Sequence, residues 1–144
     1  MSQRALYVET SAILRGLLEG DEGVLKLIQS ELVRVTSAIT IVEIERALRR
    51  ATREGRVNAA QVREARRWVR EFRDSCDVIA VEDMVLERAS RDFEVEPVRT
   101  LDALHIASAL LWEERLGALA IASFDKRVRD NATAHGMDVL PQVL

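Results

Sequence analysis

The segment ALYVETSA, residues 5–12, places a carboxylate and two hydroxyls directly after a short apolar run. The run Ala5–Val8 is predicted to be a buried strand, and Thr10 is predicted to cap a helix over residues 11–18. Glu9 then stands at the carboxyl end of the strand, where a long charged side chain has no evident local role. Because an ionised carboxylate among apolar neighbours needs a partner, Glu9 is a candidate functional residue.

Three further acids occupy comparable positions. Glu43 lies inside an apolar stretch, Asp102 stands near the start of another, and Asp125 closes a third. Each has a simple local explanation: Glu43 matches the capping-box spacing from Thr40, Asp102 can be a first-turn acid favoured by the helix dipole, and Asp125 can be an N-cap. If the four carboxylates converge, the partner that they share is predicted to be a metal ion.

The order of strand-like and helix-like segments predicts an α/β fold. The predicted strands cover residues 5–8, 32–36, 77–81, 118–124 and 137–140, and the predicted helices cover residues 11–18, 22–29, 40–53, 58–73, 83–91, 100–116 and 125–135. Strands that alternate with helices indicate a central parallel sheet, here of about four to five strands flanked by helices. In such sheets the ligand site lies beyond the carboxyl ends of the strands, where Glu9 and Asp125 are predicted.

Composition restricts the class of protein. The 144 residues predict a single domain over residues 1–144, with 48% hydrophobic and 31% charged residues. The sequence has no apolar run long enough to span a bilayer and no signal peptide at its start, so we expect a cytoplasmic protein without a membrane partner. The single Cys76 and the two histidines, His105 and His135, do not make a soft-ligand zinc site, so a bound metal would be held mainly by oxygen.

Charge is distributed unevenly along the chain. The net charge is −3, but residues 46–73 contain ten arginines and three glutamates. This stretch belongs to a predicted arginine-rich helical hairpin at about residues 39–73. Four of its arginines recur every three or four positions on the helix that carries Glu43, and they are Arg46, Arg49, Arg50 and Arg53. As a group, such arginines can guide a phosphate backbone towards a metal site, although a solvated helix surface is the better explanation for any single arginine.

Four segments in series carry a family resemblance. They are ETSA at residues 9–12, ITIVE at 39–43, LDALHIA at 101–107 and ASFDKR at 122–127. Their order and separation resemble the PIN domain, and in particular the VapC-type toxins of bacterial toxin–antitoxin pairs. The resemblance implies that Glu9, Glu43, Asp102 and Asp125 form the catalytic, metal-binding site of a Mg²⁺-dependent endoribonuclease. It also implies a homodimer and a cognate antitoxin protein.

Three other side chains are candidates for supporting roles, two from the resemblance and one from its spacing. Thr10 and Ser123 match hydroxyl positions that orient carboxylates or bound water beside the acids. His105 lies one turn beyond Asp102, so it can face the same cleft and touch substrate, or it can be a packed, hydrogen-bonded histidine. Such a site would let metal-bound water attack an RNA phosphodiester bond.

One residue departs from the family pattern. The first acid is usually Asp, whereas this chain has Glu9, whose extra methylene moves the carboxylate by about one carbon–carbon bond. Because Mg²⁺ demands near-ideal octahedral geometry, the change can weaken binding, shift the preference towards Mn²⁺, or be absorbed by the backbone. We expect the site with Glu9 in place of Asp to retain activity.

Other functions remain open on the sequence alone. The same acids would suit a PIN nuclease of RNA processing or a nuclease that acts on DNA. A non-catalytic PIN-fold module that binds RNA or protein would keep the fold without the chemistry. A phosphoacceptor is disfavoured, because the acid after the first strand is a glutamate and no lysine occupies a matching loop.

Overall fold

The computed structural model describes residues 4–31 and 33–144 of the chain. The strands are β1 (Ala5–Val8), β2 (Val33–Ser37), β3 (Asp77–Ile79), β4 (Leu119–Ala122) and β5 (Asp138–Leu140). The helices are α1 (Thr10–Glu19), α2 (Glu22–Ser30), α3 (Ala38–Arg53), α4 (Ala59–Asp74), α5 (Asp83–Ala89), α6 (Thr100–Leu116) and α7 (Lys126–Ala134). The predicted α/β class is confirmed. Leu32, the predicted start of the second strand, lies outside the described residues.

All five strands are parallel and follow the order β3-β2-β1-β4-β5. β1 is therefore central, and Tyr7 in it pairs with Val35 on one side and with Ile121 on the other. The chain leaves β1 to build the sheet outward through β2 and β3, and it later returns to add β4 and β5 on the opposite side. The sheet order thus reverses between β1 and β4, and such a switch point is where open α/β sheets bind ligands.

Two apolar layers cover the sheet, because alternate strand residues point to opposite faces. Ala5 and Tyr7 belong to one buried cluster, which α5, α6 and α7 complete. Leu6 and Val8 belong to the other cluster, which receives side chains from α1, α2, α3 and α4. α6 is buried around much of its circumference from Ala103 onward, whereas Asp102 in its first turn is half-buried.

Several helix starts differ from the predictions by one or more residues. Thr10 and Thr100, the predicted caps of α1 and α6, are each the first helical residue, and the caps are Glu9 and Arg99. α3 begins at Ala38 with Ser37 as its cap, so the predicted capping box between Thr40 and Glu43 is wrong.

The arginine-rich hairpin consists of α3 and α4, which pack against each other. The connection contains Gly55, whose φ of +71° is a left-handed conformation that suits glycine. Asn58 caps α4 through a reciprocal pair of hydrogen bonds with Gln61. Within residues 4–31 and 33–144, no helix is long and apolar enough to cross a membrane.

Candidate functional site

The four acids approach the carboxyl edge of the sheet from four elements. Glu9 directly follows β1, and Asp125 lies three residues after the end of β4. Asp102 is in the first turn of α6, and Glu43 lies in the second turn of α3. The backbone N–H of Glu9 donates to the carbonyl of Ala122 at 3.0 Å, which joins the ends of β1 and β4 at the switch point.

Glu9 is the N-cap of α1, and this role was missed by the sequence analysis. Its Oε2 accepts a hydrogen bond from the Ser11 backbone N–H at 2.7 Å, while its Oε1 accepts from the hydroxyls of Ser11 and Ser123, both at 2.6 Å. The side chain is buried, with 5% of the residue exposed. The expectation that Glu9 has no local role is therefore wrong, because three donors compensate the desolvation of its charge.

Two serines fasten the loop after β4 to the start of α1. The Ser123 hydroxyl, besides donating to Glu9, accepts from the backbone N–H of Asp125 at 3.0 Å. The Ser11 hydroxyl accepts from the backbone N–H of Phe124 at 2.8 Å. Ser11 was not singled out from the sequence, and its only signal was a second hydroxyl directly after Thr10. Together these bonds fix the segment that carries Asp125 relative to Glu9.

Glu43 belongs to a second, separate network of side chains. Its Oε1 accepts from the Thr10 hydroxyl at 2.7 Å and lies 2.5 Å from Nε2 of His105. Burial alone raises the pKa of Glu43, but the hydrogen bond and charge of His105, with the Thr10 bond, bring its pKa below the ordinary value. His105 is buried, with 2% exposed, as expected for a packed, hydrogen-bonded histidine.

Asp102 and Asp125 are less enclosed by donors. Asp125 is the predicted N-cap, and its Oδ1 accepts from the backbone N–H groups of Arg127 and Val128 at 2.9 and 3.2 Å. Burial raises the pKa of Asp102, and the carboxylates of Asp125 and Glu9 raise it further. Asp125 and Glu9 therefore each repel the carboxylate of Asp102 at this edge of the sheet.

The donor atoms suit a hard divalent cation, although a ligand cage is not formed. Among the described residues, no three Asp, Glu, His or Cys side chains are grouped so that they could hold one metal ion. Glu9 and Asp125 are turned towards the helix N-termini that they cap. The four acids nevertheless supply only oxygen ligands. A divalent cation would relieve the repulsion by Asp125 and Glu9, which adds to burial in raising the pKa of Asp102.

A groove lies between the two helices of the hairpin and is rimmed by arginines. Its volume is about 530 Å³, and its charged lining residues are Arg46, Arg49, Arg53, Arg63 and Arg66. Arg50 lies on the same helix but does not line the groove. Glu45 pairs with Arg66 across the two helices at 2.6 Å and with Arg49 on its own helix at 3.2 Å. Because five arginines line the groove and Glu45 is a single carboxylate, the rim keeps a net positive charge.

Fold and site together define the class of the protein: a parallel α/β domain with acids at the switch point of its sheet. The chain belongs to the PIN domain family, whose model matches residues 6–134. No curated protein sequence matches the chain.

Several solved structures share the fold. FitAcB from Neisseria gonorrhoeae has a TM-score of 0.69 at 16% identity, covering 95% of this chain and 97% of that chain. VapBC2 from Rickettsia felis, bound to a DNA fragment from its promoter, has a TM-score of 0.62 at 8% identity, covering 94% and 96%. VapBC-1 from nontypeable Haemophilus influenzae has a TM-score of 0.61 at 12% identity, covering 97% and 99%. At these identities the likeness concerns the fold.

Proposed function

We propose that this protein is a metal-dependent endoribonuclease of VapC type, the toxin of a toxin–antitoxin pair, that cleaves RNA phosphodiester bonds. The observation that carries the proposal is the position of Asp102 near Asp125 and Glu9 at the switch point: burial raises the pKa of Asp102, and the carboxylates of Asp125 and Glu9 raise it further. Repelling carboxylates lower stability unless a cation or a proton compensates them. A nuclease that binds a divalent cation gives this arrangement a function.

The proposed cofactor is Mg²⁺ or Mn²⁺, with Glu9 and Asp102 as ligands and Glu43 and Asp125 contributing directly or through water. When bound, such an ion supplies an activated water and neutralises charge on the phosphate. The protein itself holds the acids in place: Ser11 and Ser123 fix the carboxylate of Glu9, and Thr10 fixes that of Glu43.

The arginine-rimmed groove is the proposed path for the RNA backbone. Arg46, Arg49 and Arg53 extend from α3, the helix that carries Glu43, and α4 adds Arg63 and Arg66. Arginine forks pair well with phosphate, and a positive groove that leads away from an acidic centre draws the substrate towards it. Arg50 remains a candidate for a more peripheral contact, since it is exposed on the same helix.

The proposed partners are a cognate antitoxin and a second copy of the chain, in the cytoplasm. Support comes from the fold neighbours, which include VapBC2, VapBC-1 and a toxin–antitoxin complex from Klebsiella pneumoniae. A second groove of the hairpin has apolar walls that include Ile41 and Val69, beside Arg70 and Arg73. A segment that is both acidic and apolar would complement these surfaces.

A non-catalytic PIN-fold module is the second candidate, and one observation favours it. Glu9 serves as a helix cap, and the described residues contain no formed group of three metal ligands. A protein that only binds RNA or a partner would need neither the metal nor the free carboxylates.

Cleavage of a mixed, structured RNA pool by purified protein tests the proposal. The assay compares EDTA, Mg²⁺ and Mn²⁺ for the unaltered chain, Asp102→Asn, and Asp74→Asn, which removes an exposed acid at the end of α4. We expect metal-dependent fragments from the unaltered chain and Asp74→Asn, and a loss of at least about a hundredfold in Asp102→Asn. Equal cleavage by all three proteins would indicate a contaminating nuclease. No cleavage, together with retained RNA binding, would favour the non-catalytic module.

A further inference from the structure

A buried chain of polar side chains extends from the centre of the sheet to Glu43. The Tyr7 hydroxyl lies 2.8 Å from Nδ1 of His105, and Nε2 on the other side of the ring lies 2.5 Å from Oε1 of Glu43. Tyr7 and His105 are buried, with 0% and 2% exposed. Tyr7 comes from β1, His105 from α6 and Glu43 from α3, so three separate elements meet in this chain.

The hydrogen positions follow from the chemistry of the three groups. A carboxylate oxygen only accepts hydrogen bonds, so Nε2 must carry the hydrogen in its contact with Glu43. In a neutral imidazole the other nitrogen, Nδ1, is then an acceptor. The Tyr7 hydroxyl can donate a hydrogen bond to Nδ1. Burial raises the pKa of Tyr7 well above the ordinary value, so the hydroxyl keeps its proton.

Both donors to Glu43 reach the same oxygen. The Thr10 hydroxyl donates to Oε1 at 2.7 Å, and Nε2 of His105 lies beside that same atom. Thr10 and His105 also contact each other, with 3.2 Å between Oγ1 and Nε2. Among the described residues, the hydrogen bonds to the Glu43 carboxylate all end on Oε1, which leaves Oε2 without a protein donor.

We propose that Tyr7 and His105 are positioning residues for Glu43: the Tyr7 hydroxyl holds the His105 ring at Nδ1, and the Nε2–H of that ring, with Thr10, orients the carboxylate so that Oε2 serves the site. The Glu43 carboxylate, which only accepts, keeps a hydrogen on Nε2. Partners of this kind change activity or metal affinity by about 10- to 100-fold when they are removed. The consequence for cleavage rests on the proposed function, whereas the placement of the hydrogen does not.

Nitrogen-15 NMR of the imidazole rings tests the hydrogen placement without any activity. The chain has only two histidines, so His135→Asn assigns the remaining signals to His105. We expect His105 to carry a hydrogen on Nε2, both in the unaltered chain and in Tyr7→Phe, which keeps the ring and removes the hydroxyl. In Glu43→Ala, which removes the acceptor at Nε2, we expect a mixture of both tautomers. A ring with its hydrogen on Nδ1 alone in the unaltered chain, or an unchanged tautomer in Glu43→Ala, would overturn the proposal.

A matched pair of amides tests the positioning role. A glutamine at position 105 can place its amide N–H close to the position of Nε2, whereas an asparagine reaches only about as far as Nδ1. We expect His105→Asn to lower kcat by about 10- to 100-fold with KM nearly unchanged, and His105→Gln to recover much of that loss at a similar melting temperature. Equal losses in both variants, or losses that follow only the melting temperature, would contradict the proposal. If the unaltered chain cleaves no RNA, the proposed function fails, and the NMR result alone decides on the hydrogen placement.

Discussion

At the scale of single residues, Glu9 has two roles that require the same oxygens. As the cap of α1 it accepts from Ser11, and as a bridge to the loop after β4 it accepts from Ser123. As a proposed metal contributor it must keep some lone pairs free, and each carboxylate oxygen has two. The longer side chain of Glu9, compared with the usual Asp, places its carboxylate within hydrogen-bond distance of both Ser11 and Ser123.

The capping role of Glu9 predicts a loss of stability on truncation. Glu9→Ala removes the acceptor for the Ser11 N–H and strands a buried Ser123 hydroxyl, so the free energy of unfolding should fall by about 1–2 kcal/mol. Glu9→Asp keeps a favoured N-cap and should lose less. Urea unfolding in EDTA measures both. A Glu9→Ala protein as stable as the unaltered chain would show that relief of repulsion outweighs the cap.

Replacing Asp102 should raise the stability of the fold, the opposite of the effect expected for Glu9→Ala. A carboxyl whose pKa is higher in the folded protein binds its proton more tightly there, so stability is lost as the pH rises through the folded pKa. The pKa of Asp102 is raised by burial and by Asp125 and Glu9. In EDTA, Asp102→Asn should therefore be more stable at neutral pH, by less than about 1 kcal/mol because Asp102 is partly exposed. The gain should disappear in acid, below the ordinary pKa of aspartate.

Unfolding curves of the two proteins across the pH range provide the measurement. Because Asn is neutral at every pH, the difference between the proteins isolates the ionisation of Asp102. A gain of the same size at acid and neutral pH would assign the effect to packing, and a loss at neutral pH would contradict the repulsion at the site.

At the scale of elements, the sequence predicted which segments are helices and strands better than where they begin. Thr10 and Thr100 have the hydroxyl that caps prefer, yet Glu9 and Arg99 precede the helices. Thr40 is buried and its hydroxyl accepts from Thr36 at 2.8 Å instead of capping α3. A prediction from local propensity cannot include such tertiary partners, because they come from other parts of the chain.

The hairpin groove makes a specific prediction for RNA binding. Arg46→Ala with Arg53→Ala removes two groove arginines, whereas Arg50→Ala with Arg67→Ala removes two exposed arginines outside its lining. If the backbone follows the groove, the first pair should weaken binding and reduce the slope of log K against log salt by about 1.4, or about 0.7 for each phosphate contact. Filter binding at several salt concentrations, with Asp102→Asn as background, measures both slopes. If both pairs of substitutions change RNA binding and the salt slope equally, the arginines act through general positive charge and the RNA backbone does not follow the groove.

At the scale of the whole molecule, strand order determines the site. The sequence predicted acids at strand ends but not that β1 lies between β2 and β4, since strand order depends on long-range pairing. That order brings Glu9 beside the loop that carries Ser123 and Asp125. The family motifs indicated the four acids, whereas the networks through Ser11 and through Tyr7 depend on side-chain directions that no spacing encodes.

A divalent cation should stabilise the whole molecule through this site. Binding to the folded state alone raises the free energy of unfolding by about 2.7 kcal/mol at a hundredfold excess over Kd. Mn²⁺ and Mg²⁺ should therefore raise the melting temperature of the unaltered chain and of Asp74→Asn, and have little effect on Asp102→Asn. An equal shift in all three proteins would place the ion elsewhere.

The most direct measurement of the central claim is induced expression in bacterial cells, with growth and newly formed RNA 5′ ends recorded together. It requires neither a known target nor a purified protein free of other nucleases. The unaltered chain should stop growth and produce new ends at defined RNA positions, while Asp102→Asn, at equal protein level, should do neither. Growth arrest of equal strength from Asp102→Asn, or arrest without new RNA ends, would contradict the assignment of this acidic site as a ribonuclease centre.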